Sequence, residues 1–506
     1  MGAKKLKPAS FFCPHFSVSL FKLLTGHTYL QPLNTILFSS FLFLMRKPTF
    51  FLTIFLVFSV VAFAQQTLKL PPYQKTKLPN GLTIILMPQT EVPIVSLSIG
   101  VRAGSINDPA GKEGVASVTA DLLRKGTKIR TSEQISSELD FVGGTLEFGA
   151  AQDFMRGQGE FLKKDVTLGL DVLADVLMNP TFAQAEVDKL LAQRIDGIKQ
   201  AKDQAQAVIG NYFNAYLYGQ HLYARPVDGD EKSLAAIKRL DVMNFYEKNY
   251  GPQSVTIAVV GDFETASMLN TLKNKFGSWK QKGTAATPTL SEPIAFKGKK
   301  LLLVDKPDST QTYFLIGNTG IAKNNPDRAG IEIVNTVFGG RFTSMLNDAL
   351  RVSSGLTYGA QANFSQRQVA GPFVISTYTQ NKTTVQAIDL ALDILKKLHE
   401  QGLSEEQLKS SKAYIKGTYP PKIETSDQLA KQLVEWDFYG LDEREVNDYF
   451  AKIDALSAAD VKRIIHQYYP LDNLVFTLIG KADEIKEQVK KYAPQMDEKK
   501  IGQVGF

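Results

Sequence analysis

The sequence predicts an α+β fold composed of two repeated domains. The order of strands and helices in the first half starts again after residues 280–293. The first half closes with a helical segment at Leu240–Tyr250 and a strand-like segment at Ser254–Gly261. The second half closes in the same way, at Ser457–Tyr469 and Asn473–Gly480. This repetition indicates a duplicated unit, in which each antiparallel-rich sheet is covered by helices.

The first half begins with strands. Asn80-Gly81 lies between a short strand and the apolar run Leu82–Met87, which predicts a hairpin. Pro93–Arg102 alternates between apolar and polar residues and is predicted to be a half-buried strand. The other predicted elements of this half are helices near Gly114–Leu123, Thr131–Val142, Lys164–Leu177, Gln184–Ala201, Gln204–Leu217 and Leu240–Asn249, paired strands within Thr145–Leu162, and a strand at Ser254–Val260.

Gly114–Leu123 is predicted to be a helix because its apolar residues recur at spacings of three and four. Ser117, Ala120 and Asp121 have the i, i+3, i+4 spacing that places three side chains on one helical face. An inverted zincin helix carries His, Glu and His at that spacing. The segment therefore has the pattern of a metal-binding helix without the three chemical groups.

Lys280–Pro293 is polar, rich in small residues and contains proline, which is typical of a linker. Beyond it, Lys299–Val304 and Gln311–Asn318 are predicted strands, and Asp327–Phe338 is a predicted helix. After a loop and another helix, the remaining predicted elements are strands ending at Phe364 and at Gly371–Thr379, and helices near Thr384–Gln401, Ser404–Lys416 and Ser426–Tyr439.

The N-terminal segment has the features of a secretory leader. Met45 begins a short basic stretch, Phe50–Val61 is a compact apolar core, and Ala62–Ala64 gives an A-x-A cleavage pattern. The apolar core is shorter than the roughly 20 residues that a membrane anchor needs. We predict a signal peptide at 45–64 that is removed by cleavage, preceded at 1–44 by an extension from a mis-assigned start codon.

The exported chain is then predicted to comprise domains at 65–279 and 294–506, joined by the linker at 280–293. Cys13 is the only cysteine and lies in the leader, so we expect neither disulfides nor Cys-ligated metal in the mature chain. Export without disulfides predicts a bacterial periplasmic location, with no stable membrane anchor after cleavage.

The formal charge of +7 does not indicate a nucleic-acid partner. Six of the 58 Lys and Arg residues, and none of the 51 Asp and Glu residues, lie within residues 1–64. The rest of the chain is therefore close to neutral, and its charge predicts no nucleic-acid binding.

The histidines argue against a zinc site in this chain. Of the five histidines, His15 and His27 fall in the leader. His221, His399 and His466 are isolated, whereas a catalytic zinc normally needs three N, O or S ligands. The sequence also contains no nucleophile elbow, Gly-rich phosphate loop or dinucleotide fingerprint.

Leu350–Gly359 (LRVSSGLTYG) is the local cluster that stands out. Arg351 near a helix end, followed by Tyr358 entering a strand, would bring a guanidinium near a phenol. Such a pair can donate hydrogen bonds to a peptide carbonyl or a developing oxyanion. The spacing alone favours the other interpretation, a helix C-terminal cation with a core tyrosine, and leaves ligand binding as the alternative. Nearby, Gly339–Arg341 indicates a tight turn between helices rather than a phosphate-binding loop.

Several segments resemble the pitrilysin/insulinase family of zinc metallopeptidases. LPNGLTIIL and VSLSIGVRAGSINDPAGKEGVA are similar to the family's N-terminal strand pair and helix entry. EVDKLLAQRIDGIKQ, SLAAIKRLDVMNFYEKNYGPQSVTIAVVGDF and LRVSSGLTYG are similar to later family segments, so the resemblance runs from about Tyr73 to Tyr492. It implies a duplicated α+β fold of two pitrilysin-type domains.

The resemblance also identifies the positions that would hold zinc. The family's H-x-x-E-H motif falls on Ser117, Ala120 and Asp121, and its third ligand, a Glu, falls at or beside Gly197. These positions are degenerate, which implies that this chain has no catalytic residue, binds no cofactor and does not hydrolyse peptides by itself.

The second half keeps the family motif R-x-x-x-G-L-x-Y, which implies that Arg351 and Tyr358 bind substrate. Some family members divide labour between a metal-bearing subunit and a partner that carries the Arg/Tyr pair. This chain resembles that partner, so zinc is expected in the other subunit and the substrate is expected to be a peptide or protein. An exposed strand edge within Thr145–Leu162 is expected to bind peptide by β-augmentation.

Two alternatives stay open from the sequence. The chain could be a peptide-binding or assembly scaffold without proteolysis, although a scaffold has no need of both Arg351 and Tyr358. It could also be an active peptidase with a rebuilt metal site.

Overall fold

The computed structural model describes residues 68–280 and 288–506. The predicted signal peptide (45–64) and the extension before it lie outside the described residues, as does part of the predicted linker (280–293). Thr67–Phe506 forms one compact unit, which contains both sheets.

The first half contains a six-stranded sheet flanked by helices. Gly81 sits in the predicted hairpin between the first two strands with φ +95°, a conformation that glycine adopts without strain. The strands are β1 (Gln74–Lys77), β2 (Thr83–Pro88), β3 (Ile94–Val101), β4 (Thr145–Ala150), β5 (Met155–Leu162) and β6 (Val255–Gly261). The helices are α1 (Val115–Leu122), α2 (Ser132–Phe141), α3 (Val166–Met178), α4 (Gln184–Ala201), α5 (Ala205–Tyr218), α6 (Glu231–Ala236), α7 (Arg239–Asn249) and α8 (Thr265–Phe276).

The second half contains a second six-stranded sheet. Its strands are β7 (Lys299–Asp305), β8 (Gln311–Thr319), β9 (Ala360–Phe364), β10 (Pro372–Gln380), β11 (Leu474–Gly480) and β12 (Gln495–Lys500). Its helices are α9 (Arg328–Asn335), α10 (Met345–Asn347), α11 (Thr384–Gln401), α12 (Glu405–Thr418), α13 (Ser426–Tyr439), α14 (Arg444–Asn447), α15 (Tyr449–Ala455), α16 (Ala458–Tyr468) and α17 (Ala482–Val489). Two π-helical turns, Thr336–Gly340 and Asp348–Ser353, extend α9 and α10.

The two sheets share one strand order, which confirms the predicted α+β fold with a repeated domain. The first runs β1-β2-β6-β3-β5-β4 and the second β12-β7-β11-β8-β10-β9. Both are mostly antiparallel, with parallel pairs β2–β6 and β7–β11. They differ at one edge, because β1 is the antiparallel hairpin partner of β2, whereas β12 runs parallel to β7. At the other edge, β4 and β9 each have one neighbouring strand.

Each half covers a face of the other half's sheet with one helix. The second-half helix α13 packs on β3 and β6, where Leu433 and Val434 are buried. The first-half helix α5 packs on β8 and β11, with Ile209 buried in the same apolar cluster as Ile479. Gly100 in β3 is needed for this packing, because a Cβ there would lie 2.6 Å from Val434 Cγ1. The two halves therefore bury apolar surface jointly.

A buried carboxylate also joins the halves. Asp153, in the turn between β4 and β5, accepts hydrogen bonds from the hydroxyls of Tyr223 at 2.7 Å and Tyr439 at 2.8 Å. The backbone N–H of Gln368, in the turn between β9 and β10, donates to the same carboxylate at 2.8 Å. These bonds fix the β4–β5 turn against the second half.

Most differences from the sequence prediction are additional elements. The helices α6, α8, α14, α15 and α17 and the strand β12 were not predicted; each is short or lies next to a stronger pattern. None of the described helices is long and apolar enough to cross a membrane.

Candidate functional site

The helix α1 is held at its start by a buried carboxylate. Asp108 accepts backbone N–H bonds from Gly114 at 2.7 Å and Ala116 at 2.9 Å, which satisfies amides at the first turn. Gly114 has φ +98°, a left-handed conformation that favours glycine. Burial raises the pKa of Asp108 to about 8, whereas the two amide bonds lower it. This capping fixes the helical face that bears the degenerate metal positions.

An arginine lies beside the positions at which the sequence predicts degenerate metal ligands. Arg194 on α4 donates to Asp121 at 2.6 Å and to Asp228 at 3.2 Å, and the Ser117 hydroxyl donates to Asp228 at 2.6 Å. The Arg194 side chain is 16% exposed, compared with 35% for Asp121. Gly197 lies one turn further along α4, on the same helical face as Arg194. The guanidinium therefore links α1 and α4 with the loop that carries Asp228.

The residues at these positions do not fit a zinc ion. Ala120 and Gly197 offer no side-chain ligand, and the Ser117 hydroxyl is already engaged as a hydrogen-bond donor. Asp121 is paired with Arg194, whose positive charge would repel a cation. Within residues 68–280 and 288–506, no group of three or more His, Cys, Asp or Glu side chains is arranged to hold a metal ion.

Arg351 and Tyr358 lie on one exposed segment of the second half. Arg351 belongs to the π-helical turn after α10, and its guanidinium carbon is 4.8 Å from the centroid of the Phe342 ring. It makes no hydrogen bond or ion pair with any described residue. Tyr358 lies just before β9 and is 79% exposed, so the interpretation as a core tyrosine is wrong. The two side chains do not contact each other, and both are open to a ligand.

The two edge strands, β4 and β9, differ in the hydrogen bonds that their outer backbone groups make. In β9, Asn335 donates to the carbonyl of Ala362 at 2.9 Å, and the N–H of Ala360 donates to Asn347 at 3.2 Å. In β4, no described residue other than those of β5 bonds to the strand backbone. The predicted exposed edge within Thr145–Leu162 is therefore β4, and it is open to an added strand.

The sequence predicts the four degenerate metal-ligand positions but not the Arg194 guanidinium that pairs with Asp121. Arg194 precedes Gly197 by three residues, and this spacing places both on one helical face, so a signal was available. Asp228 and Phe342 carry no comparable signal, because only the tertiary structure brings them to Ser117 and Arg351.

Comparisons with known proteins find relatives over most of the described chain. A family model described as "Insulinase (Peptidase family M16)" matches residues 83–231. A second family model, described as "Peptidase M16 inactive domain", matches residues 236–415. The two matches are nearly contiguous and include strands from both sheets.

Individual relatives are distant in sequence but similar in length. An uncharacterized zinc protease of Mycobacterium leprae is 24% identical over 393 residues, which are 78% of this chain and 88% of that protein. An uncharacterized zinc protease of Bacillus subtilis is 24% identical over 348 residues, which are 69% of this chain and 84% of that protein.

Solved structures show the same fold. The peptidase M16 inactive domain from Pseudomonas fluorescens has a TM-score of 0.76 at 24% identity, covering 81% of this chain and 98% of that one. A protease from Helicobacter pylori has a TM-score of 0.73 at 19% identity, covering 81% of this chain and 100% of that one. At these identities the likeness establishes the fold alone.

Proposed function

Because the chain belongs to the M16 peptidase family, we propose that it is an exported, non-catalytic partner subunit of a zinc peptidase. Its role is to bind the peptide or protein substrate that a metal-bearing subunit of the same family cleaves. One contrast carries this proposal. Asp121, one of the family's metal positions, forms an ion pair with Arg194. Arg351 and Tyr358, in contrast, are exposed and form no hydrogen bond or ion pair with the described residues.

An exposed guanidinium and phenol suit recognition of a peptide backbone. Arg351 can donate hydrogen bonds to a substrate carbonyl or to the oxyanion that develops during cleavage, and Tyr358 can donate one more. The Phe342 ring restrains the guanidinium through a cation–π contact while leaving its N–H groups available. Donors that are already held in position need little reorganisation when the substrate binds.

The open edge of β4 suits an extended peptide. Strand addition would supply backbone hydrogen bonds that do not depend on the peptide's sequence. Since β4 belongs to the first half and Arg351 to the second, both halves would contribute to one substrate.

Reconstitution with a metal-bearing family member from the same genome tests the proposal. The isolated chain should be inert, and the mixture should cleave peptides. Arg351→Ala should lower kcat/KM about 10- to 100-fold, which corresponds to the loss of a charge-assisted hydrogen bond. Tyr358→Phe should lower it less. The control Arg444→Ala removes a guanidinium that is 73% exposed and paired with Asp442, and it should leave cleavage unchanged.

Four outcomes would contradict the proposal in different ways. Unchanged cleavage with Arg351→Ala would remove the proposed role of that residue. Peptide binding with no catalytic partner in pull-downs would favour a scaffold. Cleavage by the isolated chain would favour an active peptidase with a rebuilt metal site. Recovery of the protein in the cytoplasmic rather than the periplasmic fraction would contradict export.

A further inference from the structure

A cleft beside β9 combines the cationic side chain of Arg341 with aromatic rings, and none of the described residues that line it is Asp or Glu. It has a volume of about 690 Å³ and lies between α5 and the second sheet. Tyr313 and Tyr378 lie in its lining, with ring centroids 5.1 Å apart and planes nearly parallel. Arg341, Phe342 and Tyr414 also line it, and the rings of Phe342 and Tyr414 are exposed. The cleft thus offers both positive charge and aromatic surface.

Arg341 in the lining of this cleft and Arg351 beside it have no carboxylate partner among the described residues. Arg341 donates one hydrogen bond, to the Ser410 hydroxyl at 3.0 Å, and its Nε is buried without a partner. Its guanidinium carbon lies 5.7 Å from the centroid of the Tyr414 ring. Arg351 stands over Phe342, which lines the cleft, and is also free of ion pairs. Unmatched arginines at one cleft favour an anionic ligand, because a guanidinium binds a carboxylate through a planar pair of donors.

The corresponding cleft of the first half has a different charge balance. It has a volume of about 470 Å³ and lies beside β4 and α13. Glu147 and Glu435 line it together with Arg156 and Lys431, so acidic and basic side chains are equal in number. Of these two corresponding clefts, the second-half cleft therefore has the excess of positive charge.

The edge of β9 excludes one mode of binding at the second-half cleft. Asn335 and Asn347 already bond the backbone of β9, so an added strand would have to displace them. A ligand here must therefore be recognised through its side chains, which is the role that arginines and aromatic rings can fill.

We propose that this cleft binds acidic peptide segments. Arg341 pairs with a carboxylate side chain, the aromatic lining receives a neighbouring aromatic or apolar side chain, and Arg351, beside the cleft, remains available to the peptide backbone. This site rests on the proposed function, because it specifies the substrate class that the subunit holds. It also adds Arg341, which lies outside the R-x-x-x-G-L-x-Y motif.

Fluorescence anisotropy on the isolated chain tests the site without any partner. The probes are labelled peptides of the pattern Glu-Phe-Glu, Gln-Phe-Gln and Lys-Phe-Lys, flanked by glycines and blocked at both ends. The acidic probe should bind at least tenfold more tightly than the amide probe, and its binding should weaken with added salt. A Gln-Phe-Gln probe with a free C-terminal carboxylate separates recognition of acidic side chains from recognition of a chain terminus.

Substitutions then assign the binding to the cleft. Arg341→Gln should weaken binding of the acidic probe at least tenfold, and Arg341→Lys should restore part of it. The control Arg444→Gln should have no effect, and thermal unfolding identifies any variant that fails to fold. Equal binding of the acidic and amide probes, tighter binding of the basic probe, or no effect of Arg341→Gln in a folded variant would overturn the proposal. Such a result would leave the partner-subunit function standing if Arg351→Ala still lowered cleavage by the reconstituted pair.

Discussion

Arg194 and Arg351 are the same residue type in the two halves of the molecule, yet their surroundings differ. Arg194 is 16% exposed and is bonded to two carboxylates, Asp121 and Asp228. Arg351 is exposed, stands over the Phe342 ring and forms no hydrogen bond or ion pair with the described residues. An arginine whose charge is matched inside the protein holds structural elements together, whereas an unmatched exposed arginine is available to a ligand.

The edge strands show the same division in the backbone. The first-half strand β4 has an open edge, while side chains of Asn335 and Asn347 bond the second-half strand β9. The first half can thus offer backbone groups to a ligand, and the second half can offer side chains. Duplication has kept the strand order the same and has let the chemistry of the two halves diverge.

Rebuilding the metal positions should produce the largest change. With Arg194 retained, the combined substitutions Ser117→His, Ala120→Glu, Asp121→His and Gly197→Glu should bind little zinc, because the guanidinium lies on the same face. Adding Arg194→Ala should raise the zinc content towards a stoichiometric amount, measured by mass spectrometry of the metal after dialysis. Equal zinc content with and without Arg194 would show that its guanidinium does not compete with the metal.

Replacing the two arginines one at a time should separate structure from binding. Arg194→Met should lower the free energy of unfolding by about 2 kcal/mol, because it leaves Asp121 without its partner in a partly buried site. Arg351→Met should change it by less than about 0.5 kcal/mol, since that side chain is exposed and unpaired. Urea denaturation measures both values. Similar losses of unfolding free energy for the two variants would contradict the distinction between a structural arginine in the first half and a ligand-binding arginine in the second.

The capped edge of β9 should contribute a smaller amount of stability. Asn335→Ala leaves the carbonyl of Ala362 without its hydrogen bond and should cost about 1 kcal/mol in urea denaturation. The control Asn363→Ala, at an exposed position on the same strand, should stay within about 0.5 kcal/mol of the original protein. An equal loss of unfolding free energy for Asn335→Ala and Asn363→Ala would mean that the hydrogen bond from Asn335 to β9 does not contribute to stability.

Protonation of His399 should destabilise the folded chain at acid pH, and this is the smallest expected effect. Burial lowers the pKa of His399, and the ring of His466, 5.0 Å away, lowers it further. The folded state therefore favours neutral His399, so this contribution is complete above about pH 6.5 and is lost as the pH falls below that value. His399→Gln should therefore be less destabilising, relative to the original protein, at pH 5.5 than at pH 7.5 in urea denaturation. Equal destabilisation at the two pH values would exclude His399 as the source of the acid effect.

The sequence predicted the elements with strong periodicity. The predicted helices Gln184–Ala201 and Ser426–Tyr439 have the bounds of α4 and α13. The helix α8 is absent from the prediction although Met268, Leu272 and Phe276 recur at intervals of four, a pattern that indicates a helix.

No local sequence pattern predicts that α5 packs on the second sheet and α13 on the first. An amphipathic helix shows the same pattern whichever sheet it covers, so its partner depends on the tertiary fold. The pair of Arg194 and Asp121 joins residues 73 positions apart, and no spacing rule connects them. The sequence predicts degenerate metal ligands at Ser117, Ala120, Asp121 and Gly197, but only the structure shows the Arg194 guanidinium beside them.

The zinc content of the isolated wild-type chain is the most direct test of the division between the halves. The chain would be produced in zinc-supplemented medium, dialysed, and measured by mass spectrometry of the metal. If the Arg194 guanidinium takes the place of a zinc ion beside Asp121, the zinc content of the isolated chain should be far below stoichiometric. All zinc in a reconstituted pair should then belong to the partner subunit. Stoichiometric zinc in the isolated chain would contradict this division.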